Sequence, residues 1–355
     1  MKKYLLFLSI TMFASSANES MAATDGFAGT WVEPPESAIP NSAKGDQIRY
    51  GKDILLNTYK YLGAESVIGK KYTGNKLACA SCHIDGGVVA YAAPFSVVSK
   101  KYADPGLFSS RTNELRTLPI RINGCMERSL AGKPIPEKGL EMQAIIAYMN
   151  WLSTGMQVDN WTQVKGQGFI SVPDLTRAAD PVRGATIYAD KCMVCHGANG
   201  QGEWDQTAMT YIKPALWGPD SFNTGAGMNR LRTGVRFVKG NMPDNHAVAT
   251  DPTTQLSLDD AWDVMAYILS NDRQTFSKSQ TDWSGTGILD GVPNWMRKPV
   301  STSYPPYYPR LGDPDDLDRP AMFPPEQYKY GPYQEMLQVQ KNIRNAYQAE
   351  PRKRR

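Results

Sequence analysis

Histidine and cysteine are scarce in this chain, with three histidines and five cysteines among 355 residues. Any chemistry that needs thiols or imidazoles must use these few, so their placement is informative. Long apolar runs are missing as well. The stretch from Tyr4 to Phe13 is about half of the ~20 residues that a membrane-spanning helix needs, and no later segment is long and apolar enough. A strong net charge is also absent. The 39 Lys+Arg against 35 Asp+Glu leave +4, part of it in the terminal RKRR, which gives no basis for nucleic-acid binding. What the N-terminus does contain is two lysines, the apolar run and a small-residue stretch ending near Ala22 or Ala23. That order reads as a signal peptide over residues 1–22, so export is expected and an integral membrane segment is not. Roughly 330 mature residues leave room for two compact domains plus additional segments.

Four of the five cysteines fall in two short motifs, LACASCHIDG at 77–86 and CMVCH at 192–196. C-x-x-C-H is the attachment site of a c-type haem. On a helical turn Cys79, Cys82 and His83 face one side, so two thiols reach the haem vinyl groups while the imidazole ligates iron. Cys192, Cys195 and His196 repeat the arrangement. A redox dithiol or half of a zinc site is the competing reading. It is disfavoured because a histidine follows both pairs and no other cysteine cluster exists to complete a zinc shell. Two covalently bound haem c groups are therefore expected, and with them a periplasmic location, since c-type haem is attached outside the bacterial cytoplasm. In such an oxidising compartment thiols normally pair, yet Cys125 is left over.

The chain repeats itself at low resolution. In the first half GKDILLNTYKYLG leads toward the motif and GLEMQAIIAYMNWLS closes the unit; in the second, RGATIYADKC and LSLDDAWDVMAYILSN do the same. Leu140, Ala144, Ala147, Tyr148 and Trp151 form one helical stripe, and Trp262, Met265, Ala266 and Leu269 the other. The expected fold is mainly α, with two cytochrome c domains in tandem over 23–160 and 181–283, joined by a linker at 161–180. Residues 284–355 hold 11 of the 25 prolines and seven tyrosines. That composition predicts an extended C-terminal segment wrapping over both domains and burying tyrosine rings.

A low-spin haem needs a second axial ligand. In the second half Met242, in N-M-P, follows His196 by 46 residues and precedes the closing helix. Proline stiffens a loop that presents a thioether, which makes Met242 the choice over Met209 and Met228. His246 reads as a surface histidine. In the first half the equivalent place, 42 residues after His83, is occupied by Cys125 within RINGCMERSLAGK. The leftover thiol thus coincides with the missing ligand, with Met126 as a competitor and a spectator cysteine or intermolecular disulfide as further alternatives.

The R-I-N-G-C-M-E-R-S segment after C-A-S-C-H, followed by C-M-V-C-H, N-M-P and F-P-P-E-Q-Y-K-Y-G-P-Y, resembles the tetrathionate-forming thiosulfate dehydrogenases, periplasmic dihaem cytochromes c. The resemblance runs over nearly all the mature chain. It implies His83 and Cys125 on the first iron, His196 and Met242 on the second, and Cys125 as the sulfur that carries substrate. It also implies Arg111 and Arg121 as substrate-binding cations, Arg121 as catalytic, and Ser129 as a nearby polar contact. Some relatives place a lysine before the ligating methionine, able to exchange with it; this chain has Asn241, with Lys239 nearby. The implied partners are thiosulfate, tetrathionate and an external electron-carrier cytochrome or similar acceptor. Competing readings are a sulfur-oxidation cytochrome that loads thiosulfate onto a carrier protein, a dihaem peroxidase, and a simple electron-transfer cytochrome.

Overall fold

The computed structural model describes residues 26–278 except 110, 113 and 245, together with 288–289, 292–293, 325–338 and 342. The expected signal peptide, and most of the segment from 284 onward, lie outside the described residues. The described fold is mainly helical. Its longer helices are α1 (Ala43–Leu56), α2 (Leu118–Arg128), α3 (Leu140–Leu152), α4 (Pro181–Lys191), α5 (Leu231–Asn241) and α6 (Leu258–Ser270). Three short antiparallel pairs break the helical pattern among the described residues: β1 (Leu107–Ser109) with β2 (Glu114–Arg116), β3 (Glu203–Asp205) with β4 (Thr210–Lys213), and β5 (Ile288–Leu289) with β6 (Val292–Pro293).

Two apolar clusters organise these elements. The first joins Ile48, Ile54 and Leu55 of α1 to Ala144, Ile145, Tyr148 and Met149 of α3 and to Ile122 and Met126 of α2. The second joins Tyr188 of α4 to Leu231 and Val235 of α5 and to Trp262, Val264 and Met265 of α6. Between Val164, which packs on the first cluster, and Val172, which packs on the second, the chain passes from one to the other. The stripe expected on α3 needs one correction. Leu140 is 62% exposed, because it opens the helix ahead of the crossing, while Met142 and Ile145 turn inward to fill the face.

The two halves share one packing device. A Cβ on Gly51 of α1 would lie 2.0 Å from the Ala144 carbonyl oxygen of α3, and a Cβ on Gly184 of α4 would lie 2.0 Å from the Asp263 carbonyl oxygen of α6. Each helix pair therefore crosses at backbone contact, which only glycine permits. The α4 end is fixed further by Asp180, whose carboxylate accepts from the Val182 and Arg183 amides with Pro181 in the first turn. Asp263, fully buried, accepts from Arg177 at 2.8 Å, from Arg183 at 2.6 Å and from the Asp180 amide at 2.8 Å. Burial opposes the charge of this carboxylate, and the two guanidinium partners outweigh burial and hold its pKa below the usual range.

Part of the C-terminal segment belongs to the second half. Tyr333 and Met336 are buried in its cluster, the Ala179 amide donates to the Tyr330 carbonyl at 2.9 Å, and Gln334 Nε2 donates to the Leu175 carbonyl at 2.6 Å. The halves meet along the β3–β4 hairpin and the following loop. Trp204 packs edge-on against Tyr59 at 5.3 Å between centroids, and Lys76 pairs with Asp220 at 3.3 Å.

Gly184→Ala should force α4 away from α6 and lower the stability of the holoprotein by about 1–3 kcal/mol, the usual cost of overpacking. Denaturant titration checks this, with Gly168→Ala, at a glycine whose added Cβ meets nothing, as the control.

A candidate haem and cysteine site

The first C-x-x-C-H motif sits in a turn rather than a long helix, Cys79–Ser81 forming one 3-10 turn. Thr58 holds it: its Oγ1 accepts from the Cys79 amide at 3.0 Å and donates to the Ile54 carbonyl at 2.9 Å. Cys79, Cys82 and His83 all line one apolar cavity, walled by Leu55, Leu62, Ile122 and Met149. His83 stacks on Phe95, and its Nδ1 lies 2.6 Å from the Ala93 carbonyl. A carbonyl can only accept, so Nδ1 carries the proton and Nε2 keeps its lone pair for a metal.

Across that cavity stands α2. Arg121 and Cys125 are four residues apart, on one face of the helix, and Arg121 Nη1 donates to Cys125 Sγ at 2.7 Å. Burial pushes the Cys125 thiol up, but the Arg121 charge and the facing His83 imidazole outweigh it and bring the pKa down to about 6. The attachment cysteines behave in the opposite way. Burial pushes Cys79 and Cys82 up to about 12, with little to offset it. In the first cavity Cys125 is thus the thiol poised as thiolate.

More cations stand behind it. Arg116 is held below the usual guanidinium range by burial first, then by the charges of Arg121, Arg128 and Arg111, so four guanidinium groups share one region. Arg111, between β1 and β2, donates through Nη2 to the Gly225 carbonyl at 2.5 Å. Ser129 lines the cavity at the end of α2, and its carbonyl accepts from Asn75 Nδ2 at 2.9 Å. Met126 is 1% exposed and lines the same cavity, so the structure brings both sulfur candidates there; the cationic contact is made by Cys125.

The second motif lies at the end of α4, in the turn Met193–His196. His196 repeats the first pattern, with Nδ1 2.8 Å from the Pro214 carbonyl. Burial lowers its pKa, which favours the neutral, ligating form. Cys192 and Met242 both pack on the second cluster, and Met242 follows α5 directly. Met228 packs on the first cluster instead, and Met209 sits in the turn between β3 and β4. Asn241 is buried, bonded to the Phe237 carbonyl at 3.0 Å, and Lys239 Nζ is bonded to the Leu256 carbonyl at 2.6 Å. His246 is exposed. Among the described residues no three His, Cys, Asp or Glu side chains gather as a metal shell, and no helix is long and apolar enough to cross a membrane.

The cytochrome c family model matches residues 181–272. The thiosulfate dehydrogenase of Thiomonas intermedia is 33% identical over 282 residues, 76% of this chain and 83% of that protein. That of Psychrobacter arcticus is 36% identical, over 76% of this chain and 77% of its own length. The chain belongs to the thiosulfate dehydrogenase family. The structure of a thiosulfate dehydrogenase (TsdBA) from Marichromatium purpuratum, in its "as isolated" form, agrees with a TM-score of 0.61 at 31% identity. That match covers 69% of this chain and half of the other. A cytochrome c domain in this thiosulfate dehydrogenase family member implies covalently bound haem c. The residues present fit it, since each motif offers paired thiols beside an imidazole whose Nε2 is left for iron.

Sequence reasoning missed Asn75 and Asn223, which hold the end of α2 from outside. Nothing in their local sequence marks them. Arg121→Gln removes the charge that outweighs burial, so protonation of the Cys125 thiol should move upward in pH from about 6. A pH titration of the oxidised visible spectrum checks this, with the wild type constant above pH 7.

Proposed function

We propose that this protein is a periplasmic dihaem cytochrome that oxidises two thiosulfate anions to tetrathionate, reversibly, at Cys125. The observation that carries the reading is the Arg121 contact to Cys125, whose sulfur lines the cavity shared with Cys79, Cys82 and His83. The family membership supports the substrate, and the shared Gly51 and Gly184 crossings support reading both halves as cytochrome c domains. We assign His83 and Cys125 to the first iron and His196 and Met242 to the second. Bound there, haem c would supply one-electron acceptance, with an external cytochrome or similar carrier as the final acceptor.

The chain's own residues address the main obstacle, which is charge. Two dianions repel each other in water, and the guanidinium groups of Arg111, Arg116 and Arg121 offset that repulsion in a site of low dielectric. Ser129 adds a polar contact at the cavity wall. Cys125 thiolate and thiosulfate form a sulfur–sulfur bond with release of two electrons, giving a cysteinyl S-thiosulfonate. A second thiosulfate then attacks the outer sulfur of the new bond; tetrathionate leaves and the thiolate is regenerated. No proton is consumed in either step, so a cysteine already ionised is the form required. Arg121, bonded to the sulfur, keeps it so.

Cys125→Ala should lower thiosulfate oxidation by ~10³-fold or more while leaving both haems attached, and Cys125→Met should be equally inactive because a thioether cannot form the bond. Steady-state assays with intact-mass measurement check both; substantial turnover by either variant would end the covalent reading. Met242→Gly should lower the potential of the second haem and slow electron exit with little change at the first, as read by redox titration. Intact mass of the denatured wild type should show two haems.

A further inference from the structure

We infer that Asn223, a residue of the second half, is the positioning residue that fixes Arg111 and Cys125 relative to one another. The inference rests on the reading of Cys125 and Arg111 as the thiosulfate site.

Helix α2 ends three residues after Cys125, and its last carbonyls need partners that the helix cannot supply. The Cys125 and Met126 carbonyls find them nearby, in the amides of Leu130 and Gly132. The next two are met from the other half of the molecule, the Arg128 carbonyl accepting from the Ala131 amide at 3.4 Å as well. Asn223 Nδ2 donates to the Glu127 carbonyl at 2.9 Å, and the Asn223 amide donates to the Arg128 carbonyl at 3.3 Å. Asn223 therefore caps the helix that carries Cys125.

The same side chain faces the other way as well. Its Oδ1 accepts from the Gly225 amide at 3.0 Å, and the Gly225 carbonyl accepts from Arg111 Nη2 at 2.5 Å. One carboxamide thus stands between the helix end behind the nucleophile and Gly225, the residue whose carbonyl holds a substrate cation. Asn223 is 3% exposed and does not line the cavity, so it acts through these two groups and not on substrate.

The loop around it is fixed from behind. The Thr224 amide donates to the Gln274 carbonyl and the Phe276 amide to Thr224 Oγ1, both at 2.9 Å. A Cβ at Gly225 would come within 2.6 Å of the Phe276 ring, and the Arg128 guanidinium lies over that ring at 4.8 Å. Asn75 adds a second tie, with Nδ2 bonded to the Ser129 carbonyl at 2.9 Å and to the Ser221 carbonyl at 2.8 Å.

The test uses the full-length holoprotein. A displacement of ~1 Å between reacting groups costs about 10²-fold in rate, so Asn223→Ala should lower kcat/KM for thiosulfate by about 10- to 100-fold. The first-haem low-spin electron paramagnetic resonance signal should shift or broaden, with the second-haem potential unchanged and both haems retained. Asn223→Asp keeps the shape and the acceptor for Gly225 but loses the donor to Glu127, and should move both readouts in the same direction. Combined with Arg111→Ala, the loss from Asn223→Ala should be less than additive. Wild-type kcat/KM with an unchanged first-haem signal in either variant would overturn the inference, as would full additivity. Where Asn223→Ala does not accumulate, Asn223→Asp decides alone. If the wild type itself fails to oxidise thiosulfate, the functional reading falls, and the resting first-haem signal of the variants still decides the role of Asn223.

Discussion

A thiolate beside apolar walls is stable only where a cation meets it, and the Arg121–Cys125 pair is that meeting. The apolar side chains of the cavity are needed to enclose a haem, yet the same surroundings push Cys79 and Cys82 up to about 12. Those two are expected to end as thioethers and need no charge. Cys125 needs one, and α2 supplies it from one turn away. The guanidinium is equally dependent on the sulfur, since Cys125 is the largest influence on Arg121 and holds its pKa above the usual range. Neither residue would be comfortable there without the other.

That local pairing places a demand on the rest of the molecule. Arg121 has a partner at hand, but Arg116 has neighbouring guanidinium groups that work against its charge. A cluster of like charges stores repulsion, and the fold must hold it together by contacts outside the cluster. Glu114 offsets part of it. The backbone carbonyl of Gly225 takes one hydrogen-bonding edge of Arg111, and the Phe276 ring takes the face of Arg128. Both of these supports come from the second half. A charge cluster suited to two dianions is therefore assembled from one half and stabilised by the other.

The sequence makes the repeat, the two motifs and the isolated Cys125 legible, because each depends on spacing along one chain. Tyr148 and Trp262 are read correctly as core residues for the same reason: helical periodicity places them inward, and the structure buries both. Leu140 is read wrongly, since periodicity assigns a face but not where along the helix the crossing begins. The hairpins around Arg111 and Trp204 carry no alternating apolar pattern, and three- or four-residue strands are too short to show one. Asn75 and Asn223 are invisible for a deeper reason. An asparagine in a loop reads as a turn former, and only the tertiary fold reveals that its amide bonds a helix end 54 or 96 residues away.

The contacts of the loop at 218–226 also bear on how the two motifs communicate. The stretch leading into it begins at Pro214, whose carbonyl orients His196, and it continues through Ser221 and Asn223 to the end of α2 behind Cys125. Within ten residues the chain touches the imidazole of the second motif and the helix of the sulfur at the first. Rotation of one half against the other would break the Asn75, Asn223 and Arg111 hydrogen bonds together. Under the proposed function, electron exit through the second motif would require a fixed relation between the two motifs, and substrate binding a fixed relation between Arg111 and Cys125. Both constraints bear on the same short segment, which explains why its asparagine, Asn223, is buried at a position where loop residues are ordinarily exposed.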